Sequence, residues 1–273
     1  MKREGKKTYI RVLTIAGSDS GGGAGIQADL KTIAAHGCYG MSVITALTAQ
    51  NTMGVFAIHP VPVEFVRKQL QVVLGDIGSN AIKIGMLFSA ELIEMIAAEL
   101  RLSGASHIVL DPVMVAQSGD KLLQDEAVAA LKATLIPVAE LITPNLPEAS
   151  VLLGRDITSR DELFDAAVEI SRLGCANVLI KGGHLKEGDC DDLLYMAATG
   201  ETITYPTRRI ETDNNHGTGC TLSSAIAAGL GKGLSVDAAV AAAKKYITEA
   251  IASGANYSIG EGHGPVDHFY RFF

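Results

Sequence analysis

Short apolar runs alternate with longer amphipathic segments along almost the whole of this chain of 273 residues. The apolar runs have the length of buried strands, and the amphipathic segments have the spacing of helices. Strands that alternate with helices in this way form a parallel sheet that is covered by helices on both faces. The alternation therefore predicts an α/β domain of three layers with a mostly parallel central sheet.

No linker, internal repeat or low-complexity tract interrupts this pattern. We predict a single domain over residues 9–273, preceded by an extended or disordered tail over residues 1–8. Residues 193–196 and 201–206 are expected to pair as an antiparallel hairpin. The other predicted strands are 9–16, 42–47, 81–86, 107–110, 140–142 and 177–181, and the predicted helices are 26–36, 62–74, 90–102, 125–134, 161–173, 222–230 and 236–252.

Polar or glycine-rich residues come directly after most of the predicted strands. The carboxyl ends of parallel strands share one edge of an open α/β sheet, and ligands bind at that edge. We therefore expect these polar segments to meet in space and to form a binding site. The segments are 17–19, Gln50-Asn51, Asp111, 145–148 and 181–183.

A further glycine-rich turn, residues 214–221, precedes the helix predicted over 222–230. Gly217 and Gly219 can adopt backbone angles that other residues avoid. The unpaired N–H groups at a helix N-terminus bind anions. This turn therefore suits a phosphate, or the negative charge that develops during phosphoryl transfer.

Three side chains of the same turn have assignable roles. Thr218 or Thr221 can cap the helix through its hydroxyl group. Cys220 lies at the edge of the turn, and a thiol at a helix N-terminus has a lowered pKa, which makes it a candidate base. A capped helix beside a small buried cysteine is the alternative interpretation of this turn.

The first glycine loop also fits the dinucleotide-binding fingerprint loosely at residues 23–28. That fingerprint requires an acidic residue about 20 positions later to hold the ribose. Neither Asp nor Glu occurs between Asp29 and Glu64. A phosphate-loop lysine motif is missing as well, because Gly231-Lys232 is followed by Gly233. These patterns disfavour an NAD-dependent dehydrogenase.

Charge and composition exclude several other classes. The chain has 23 basic and 30 acidic residues, and no basic cluster beyond residues 2–7, which disfavours binding to nucleic acid or to a membrane surface. No apolar run approaches the ~18 residues of a membrane span, and no signal-peptide pattern follows the basic start. The four cysteines show no CxxC spacing and indicate reduced thiols of a cytoplasmic protein.

Six segments form an ordered set: 16–31, 45–52, 83–86, 143–149, 181–184 and 216–220. Together they resemble the hydroxymethylpyrimidine/phosphomethylpyrimidine kinases of thiamine synthesis, which belong to the ribokinase-like superfamily. The resemblance extends from about residue 9 to residue 266. It implies a ribokinase-like fold, a homodimer, and an enzyme that uses Mg-ATP to phosphorylate the hydroxymethyl group of a pyrimidine and then the resulting monophosphate.

The resemblance also implies the residues that surround the pyrimidine. Gln50 is expected to hydrogen-bond the aminopyrimidine ring, because an amide offers both a donor and an acceptor. Ala24, Asp29 and Met86 are expected around the same pocket. For Gln50 the alternative is a solvated loop residue, for Asp29 a structural acid in a first helical turn, and for Met86 a simple core residue.

The reacting groups are implied in the same way. Gly217, Thr218 and Gly219, together with the Cys220 N–H, correspond to the anion hole of the family. In ribokinase itself the position of Cys220 is an aspartate base, so the thiol favours the pyrimidine branch over a sugar kinase. Whether Cys220 takes the proton or mainly completes the anion hole stays open.

Three further residues are expected at the nucleotide. Lys181 is expected to neutralise the phosphates of ATP. Asp111 and Glu148 are expected to hold Mg²⁺, through water, because Mg²⁺ keeps much of its hydration shell. The alternatives are a solvated strand end for the lysine and local turn or helix contacts for the two acids.

Two other functions remain open at this point. A pyridoxal kinase on the same scaffold is the nearer alternative, and a non-catalytic ligand-binding protein of this fold is the more remote one. Residues 117–120 are a candidate mobile turn over the site.

Overall fold

Nine strands form one sheet in the residues that the computed structural model describes, which are 7–114, 123–184 and 190–273. The strand order is β3-β2-β1-β4-β5-β6-β7-β8-β9. Strands β2, β1, β4, β5, β6 and β7 run parallel, whereas β3 at one edge and β8 and β9 at the other run antiparallel. The strands are β1 Arg11–Asp19, β2 Tyr39–Asn51, β3 Gly54–Pro60, β4 Ala81–Ile84, β5 Ile108–Leu110, β6 Leu141–Ile142, β7 Asn177–Ile180, β8 Asp192–Met196 and β9 Glu201–Tyr205.

Helices cover both faces of this sheet, so the predicted three-layer α/β architecture is confirmed. One face packs against α2 to α6, and the other against α1, α7 and α8. The helices are α1 Gly25–Ala35, α2 Val63–Asp76, α3 Ala90–Ser103, α4 Asp125–Ala130, α5 Leu146–Leu153, α6 Leu163–Ser171, α7 Thr218–Gly231 and α8 Val236–Gly254.

The central strands send alternate side chains into two different cores. On β1, Leu13 and Ile15 enter the larger core, which is rich in Leu and Ile, whereas Val12 enters the opposite core. The second core is built largely from alanines and small aliphatic residues of α7 and α8. Because these side chains are small, α7 lies close to the sheet, and its residues from Thr221 to Leu230 are all buried.

The main difference from the predicted elements lies after the second strand. β2 continues to Asn51 and turns back as β3, so the segment predicted as a loop is half of a hairpin. The Asn51 side chain stabilises the turn by accepting a hydrogen bond from the Met53 N–H at 2.8 Å. Gln50 consequently lies within β2, rather than after a strand.

Two predicted helices are also less regular than their sequence pattern indicates. The helix predicted over 125–134 begins as α4 and continues as a π-helical turn, Leu131–Leu135, and a 3₁₀ turn, Ile136–Val138. Pro137 prevents a longer α-helix at this point. The helix predicted over 161–173 starts with a 3₁₀ turn and is α-helical only as α6. The predicted hairpin near residue 200 is confirmed as β8 and β9.

Some predictions extend beyond the described residues. The candidate mobile turn, residues 117–120, lies outside them, as does most of the predicted tail over 1–8. A single domain over 9–273 stays a prediction. Among the helices that are described, none has both the length and the apolar character that crossing a membrane requires.

The C-terminal end of α5 gives a test of the local backbone structure. Gly154 ends this helix with a φ of 67°, and a Cβ atom added there would meet no atom within 4 Å. Gly154→Ala should therefore lower the free energy of unfolding by about 1 kcal/mol, through left-handed backbone strain alone.

Gly75 is the matched control for this substitution, because it lies inside α2 and its Cβ would also meet nothing within 4 Å. Gly75→Ala should raise the free energy of unfolding by about 0.5–1 kcal/mol, since alanine is the better helix former. Urea denaturation of both variants checks the pair. Equal effects at the two sites would contradict the described end of α5.

Candidate active site

One cleft lies at the carboxyl edge of the sheet and has a volume of about 1030 Å³. The polar segments that follow the strands meet there with the turn before α7, as their positions in the sequence predict. Residues from all of these segments line the cleft: Gly17, Ser18, Asp19, Gln50, Asn51, Asp111, Asn145, Glu148, Lys181, Gly183 and residues 215–220.

The turn before α7 touches the first glycine loop directly. Gly217 has a φ of 82°, which favours glycine. A Cβ atom at Gly217 would lie 1.9 Å from the carbonyl oxygen of Gly23, so no larger residue fits. The two glycine-rich segments are therefore in direct contact in the structure.

The expected threonine cap of α7 is wrong. The N-cap residue is Gly217, which has no side chain to cap the helix. Thr218 is the first helical residue, and its hydroxyl donates to the carbonyl oxygen of Asn215 at 2.6 Å. The Thr221 hydroxyl is buried and lies 3.1 Å from Nε2 of His268.

This missing cap has a chemical consequence. The N–H groups of Gly219 and Cys220 belong to the first turn of α7, where no partner exists within the helix. Both residues line the cleft. The positive end of the helix dipole is therefore available to an anion bound there.

Asp19 organises the first glycine loop from its centre. Its carboxylate accepts hydrogen bonds from the N–H groups of Gly21 at 2.8 Å, Gly23 at 3.0 Å and Ala24 at 2.8 Å. Nε2 of His216 lies 2.9 Å from the same carboxylate. Burial alone would raise the pKa of Asp19, but the hydrogen bonds from His216, Ala24 and Gly21 outweigh it and lower the pKa. The charged carboxylate thus ties the glycine loop to the turn before α7.

Neither Asp19 nor His216 was given a role from the sequence. For Asp19 a signal existed, because an aspartate just before a run of glycines commonly accepts hydrogen bonds from the N–H groups that follow. For His216 no local signal existed, since its partner is 197 positions away in the chain.

Three of the residues expected around a substrate line the cleft: Ala24, Gln50 and Met86. The side-chain amide of Gln50 lies 3.2 Å from Nε2 of His216 and 3.2 Å from the Thr48 hydroxyl. Met86 lies close to the first glycine loop, because a Cβ atom at Gly17 would be 2.6 Å from its methyl group. These side chains therefore share one end of the cleft with the α7 turn.

Asp29 is the exception, and its expected position beside the substrate is corrected. Its side chain is fully buried and does not line the cleft. Both carboxylate oxygens lie 2.9 Å from Nζ of Lys83, which is also fully buried. The carboxylate accepts two further hydrogen bonds, from Thr14 at 2.6 Å and Ser224 at 2.8 Å. Its hydrogen-bonding capacity is used within the core.

The residues expected at the nucleotide form a compact charged group. Nζ of Lys181 lies 2.8 Å from Asp111 and 3.7 Å from Glu148. Glu148 closes a capping box with Asn145 at the start of α5. The Asp111 carboxylate also accepts a hydrogen bond from the Thr143 hydroxyl at 3.2 Å. Asp111, Glu148 and Lys181 all line the cleft.

The two acids of this group differ in their protonation. Burial alone would raise the pKa of Asp111, but Lys181 and Lys83 outweigh it and lower the pKa. Burial raises the pKa of Glu148 to about 7, because Lys181 compensates only partly and the charge of Asp111 adds to the rise. Among the described residues, no group of three or more His, Cys, Asp or Glu side chains could hold a metal ion by itself.

The expected lowering of the Cys220 pKa is wrong. Burial raises the pKa of this thiol to about 11, although the positive charge of Lys83 opposes the rise. Removal of the sulfur from water, together with the charges of Asp29 and Asp111, therefore outweighs Lys83 and the Gly25 N–H. At neutral pH the thiol is protonated in the absence of a substrate.

Comparison with known proteins identifies related enzymes across the whole chain. A family model described as phosphomethylpyrimidine kinase matches residues 19–267. A hydroxymethylpyrimidine/phosphomethylpyrimidine kinase of Rhizobium meliloti (strain 1021) is 53% identical over 262 residues, which cover 96% of this chain and 97% of the relative.

Solved structures agree with this relationship. A phosphomethylpyrimidine kinase from Clostridium difficile 630 has a TM-score of 0.79 and 47% identity, covering 89% of this chain and 99% of that one. A Bacillus subtilis pyridoxal kinase in complex with ADP has a TM-score of 0.89 and 38% identity, covering 97% of this chain and 100% of that one. Both neighbours have the ribokinase-like fold that was expected.

The raised pKa of Cys220 can be tested without any substrate. Alkylation requires the thiolate, so the rate at Cys220 should rise about tenfold for each pH unit through and beyond pH ~8.5, where the rate for a free cysteine levels off. Mass spectrometry of peptides after timed reaction with iodoacetamide measures the rate at this cysteine alone. A plateau at Cys220 below neutral pH would contradict the raised pKa.

Proposed function

Because the chain belongs to the phosphomethylpyrimidine kinase family, we propose that its cleft phosphorylates hydroxymethylpyrimidine and then the resulting monophosphate, with ATP as the donor. The enzyme is a phosphotransferase of thiamine biosynthesis. One structural observation supports the assignment most directly: the uncapped N-terminus of α7 opens into the same cleft as Gln50. N–H groups that can donate to phosphate oxygens thus line the same cleft as an amide that can hydrogen-bond a pyrimidine ring.

The pyrimidine is proposed to bind at the end of the cleft where Gln50, Ala24 and Met86 lie. The amide of Gln50 can donate to a ring nitrogen and accept from the exocyclic amino group at the same time. The Met86 thioether offers a polarisable surface to the ring. The Thr48 hydroxyl donates to Oε1 of Gln50 at 3.2 Å and holds the amide from the side. In this pose the hydroxymethyl group points toward the α7 turn.

ATP is proposed to place its phosphates between Lys181 and the α7 turn. Phosphoryl transfer depends mainly on positioning and on stabilisation of charge. The N–H groups of Gly219 and Cys220 supply that stabilisation as fixed donors, and the Lys181 ammonium adds a positive charge. Leu222, Ile247 and Ile251 line the same cleft and offer an apolar surface for a purine ring.

Asp111 and Glu148 are proposed to hold Mg²⁺. Mg²⁺ is bound in kinases by one or two carboxylates together with substrate phosphates and water, and these two buried acids at the cleft fit that donor set. When bound, the ion would neutralise charge on the phosphate oxygens. In the structure the ammonium group of Lys181 supplies positive charge beside the carboxylates of Asp111 and Glu148.

Cys220 is proposed to contribute its backbone N–H to the anion hole and its sulfur as a hydrogen-bond acceptor for the alcohol, rather than to act as a base. With a pKa of about 11, only ~1 in 10⁴ thiols is ionised at neutral pH. The backbone N–H of Cys220 stabilises the transferred group whatever the state of the sulfur. The sulfur faces the alcohol and can accept its hydrogen bond, which orients the attacking oxygen.

Pyridoxal phosphorylation is the second candidate activity. It is supported by the higher TM-score of the pyridoxal kinase neighbour, 0.89 against 0.79. The TM-score measures the fold, however, which both activities share. Sequence identity is higher to the pyrimidine kinases, at 53% and 47% against 38%, and we therefore place the pyrimidine first.

A homodimer is proposed, with the β2–β3 hairpin as the contact. β3 is an edge strand, and the hairpin exposes several large apolar side chains. Such an edge readily pairs with another strand or packs against a second copy. The exposed residues of the hairpin are Leu47, Met53, Val55, Phe56 and Ile58.

We also propose a cytoplasmic location, because all four cysteines are free, as in a reducing compartment.

A coupled assay of ATP consumption tests the function and the thiol together. Turnover should be faster with hydroxymethylpyrimidine than with pyridoxal. Cys220→Ala should lower kcat by about 10² or more, because alanine keeps the backbone N–H but loses the sulfur that orients the attacking oxygen. Cys175→Ala is the control, because that thiol is buried in the larger core and should leave kcat unchanged. Faster turnover of pyridoxal would reverse the order of the two activities.

Gln50→Ala tests the proposed contact with the ring. The KM for hydroxymethylpyrimidine should rise about tenfold, the effect of losing a paired hydrogen bond, while the KM for ATP stays unchanged. Gln71→Ala is the control, since Gln71 lies on α2, hydrogen-bonds Glu99 and does not line the cleft. An unchanged KM for the pyrimidine in the Gln50 variant would remove this residue from the substrate site.

A further inference from the structure

The buried pair of Asp29 and Lys83 has no part in the reaction as described so far. Both side chains have no exposed surface, and Nζ of Lys83 lies 2.9 Å from each carboxylate oxygen. Removing two charges from water costs about as much as their attraction returns, so a buried pair contributes little net stability. A pair in this position is therefore better explained by what it holds in place.

Asp29 connects α1 to α7 at equivalent positions of the two helices. It is the fourth residue after Gly25 on α1, and its partner Ser224 is the fourth residue after Cys220 on α7. Residues four apart lie on one face of a helix. The hydrogen bond of 2.8 Å between Ser224 and Asp29 therefore lies one turn below the place where Gly25 faces Cys220.

The Cys220 sulfur is consequently placed between two helix N-termini. The Gly25 N–H, in the first turn of α1, hydrogen-bonds the sulfur and opposes the rise in its pKa. The sulfur itself belongs to the first turn of α7. Both helix dipoles present positive ends at this point. A small rotation of α7 against α1 would remove the sulfur from one of them.

Lys83 adds a full positive charge beside the same sulfur. Burial alone would lower the pKa of Lys83, but the charges of Asp29, Cys220 and Asp111 outweigh it and raise the pKa. The ammonium group therefore stays charged. Asp29 fixes it in place on β4, next to Gly85, whose Cβ would lie 2.7 Å from Nζ.

We propose that Asp29 and Lys83 are positioning residues for Cys220. Asp29 fixes α7 against α1 through Ser224, so that the sulfur and the first-turn N–H groups of α7 stay aligned with the cleft. Lys83 holds this carboxylate through the ion pair of 2.9 Å and places a positive charge beside the sulfur. This inference rests on the proposed role of the α7 turn in phosphoryl transfer, and it replaces substrate binding as the role of Asp29.

Two hydroxyl groups on the same carboxylate provide a matched test. Lys83→Met would leave a buried carboxylate unpaired and can prevent folding, so the hydroxyls are the better targets. Ser224 donates to one oxygen of Asp29 from α7, whereas Thr14 donates to the other from β1. Both side chains are fully buried. Ser224→Ala and Thr14→Val each remove one hydrogen bond, but only the first loosens α7.

Kinetics of the two variants separate positioning from general stability. Ser224→Ala should lower kcat about tenfold with both KM values unchanged, because the reacting groups are misplaced while substrates still bind. Thr14→Val should keep kcat within about twofold of the unsubstituted protein. Equal losses of kcat in both variants, no loss in either, or a change confined to KM would overturn the proposal.

Alkylation of Cys220 gives a second result that needs no kinase activity. In Ser224→Ala without substrates, the rate of reaction with iodoacetamide at pH ~8.5 should rise about threefold, because a looser α7 returns the sulfur to water and relieves the burial that raises its pKa. In Thr14→Val the rate should not change. If the unsubstituted protein phosphorylates neither alcohol, the proposed function fails, yet equal alkylation rates in the two variants would still overturn the positioning role.

Discussion

The active site depends on a helix N-terminus that has been left without a cap. α7 begins at Gly217, which supplies no side chain, and the two threonines of the turn bond elsewhere. The first-turn N–H groups of α7 are therefore unpaired within the helix and face the cleft. A helix that is open at one end must be held firmly along the rest of its length. The burial of α7 from Thr221 to Leu230 between the sheet and the neighbouring helices provides that support.

Around this N-terminus four of the buried acids each face a basic side chain from another element. Asp19 meets His216, Asp29 meets Lys83, Asp111 meets Lys181, and Asp192 meets Lys244. Such pairs add little net stability, but each one fixes two elements in register. Fixed charges and dipoles need little reorganisation when a phosphoryl group moves, which is the main requirement of this chemistry. The ion pairs therefore contribute more to the geometry of the site than to the stability of the fold.

The sequence was sufficient for features that repeat or that act locally. The alternation of strands and helices predicted the three layers. The expectation that polar or glycine-rich segments follow strands or precede a helix predicted one shared cleft for Gly17, Gln50, Asp111, Lys181 and Cys220. Features set by distant contacts were missed. The partner of His216 is 197 residues away, the burial that raises the pKa of Cys220 comes from packing, and Asp29 is turned into the core by a lysine of β4. Local patterns contain no information about those contacts.

The contact between Asp19 and His216 joins an early and a late part of the chain, so it can form only near the end of synthesis. A ribosome releases β1 early, but the turn and helix that complete the cleft leave it only after all nine described strands. Until then the sheet face formed by Val12, Ala81 and Val109 has no cover from α7. Nascent chains that show apolar strands in this way tend to aggregate or to require chaperones. A synthesis halted before α7 would thus leave a folded sheet with neither catalytic power nor a protected surface.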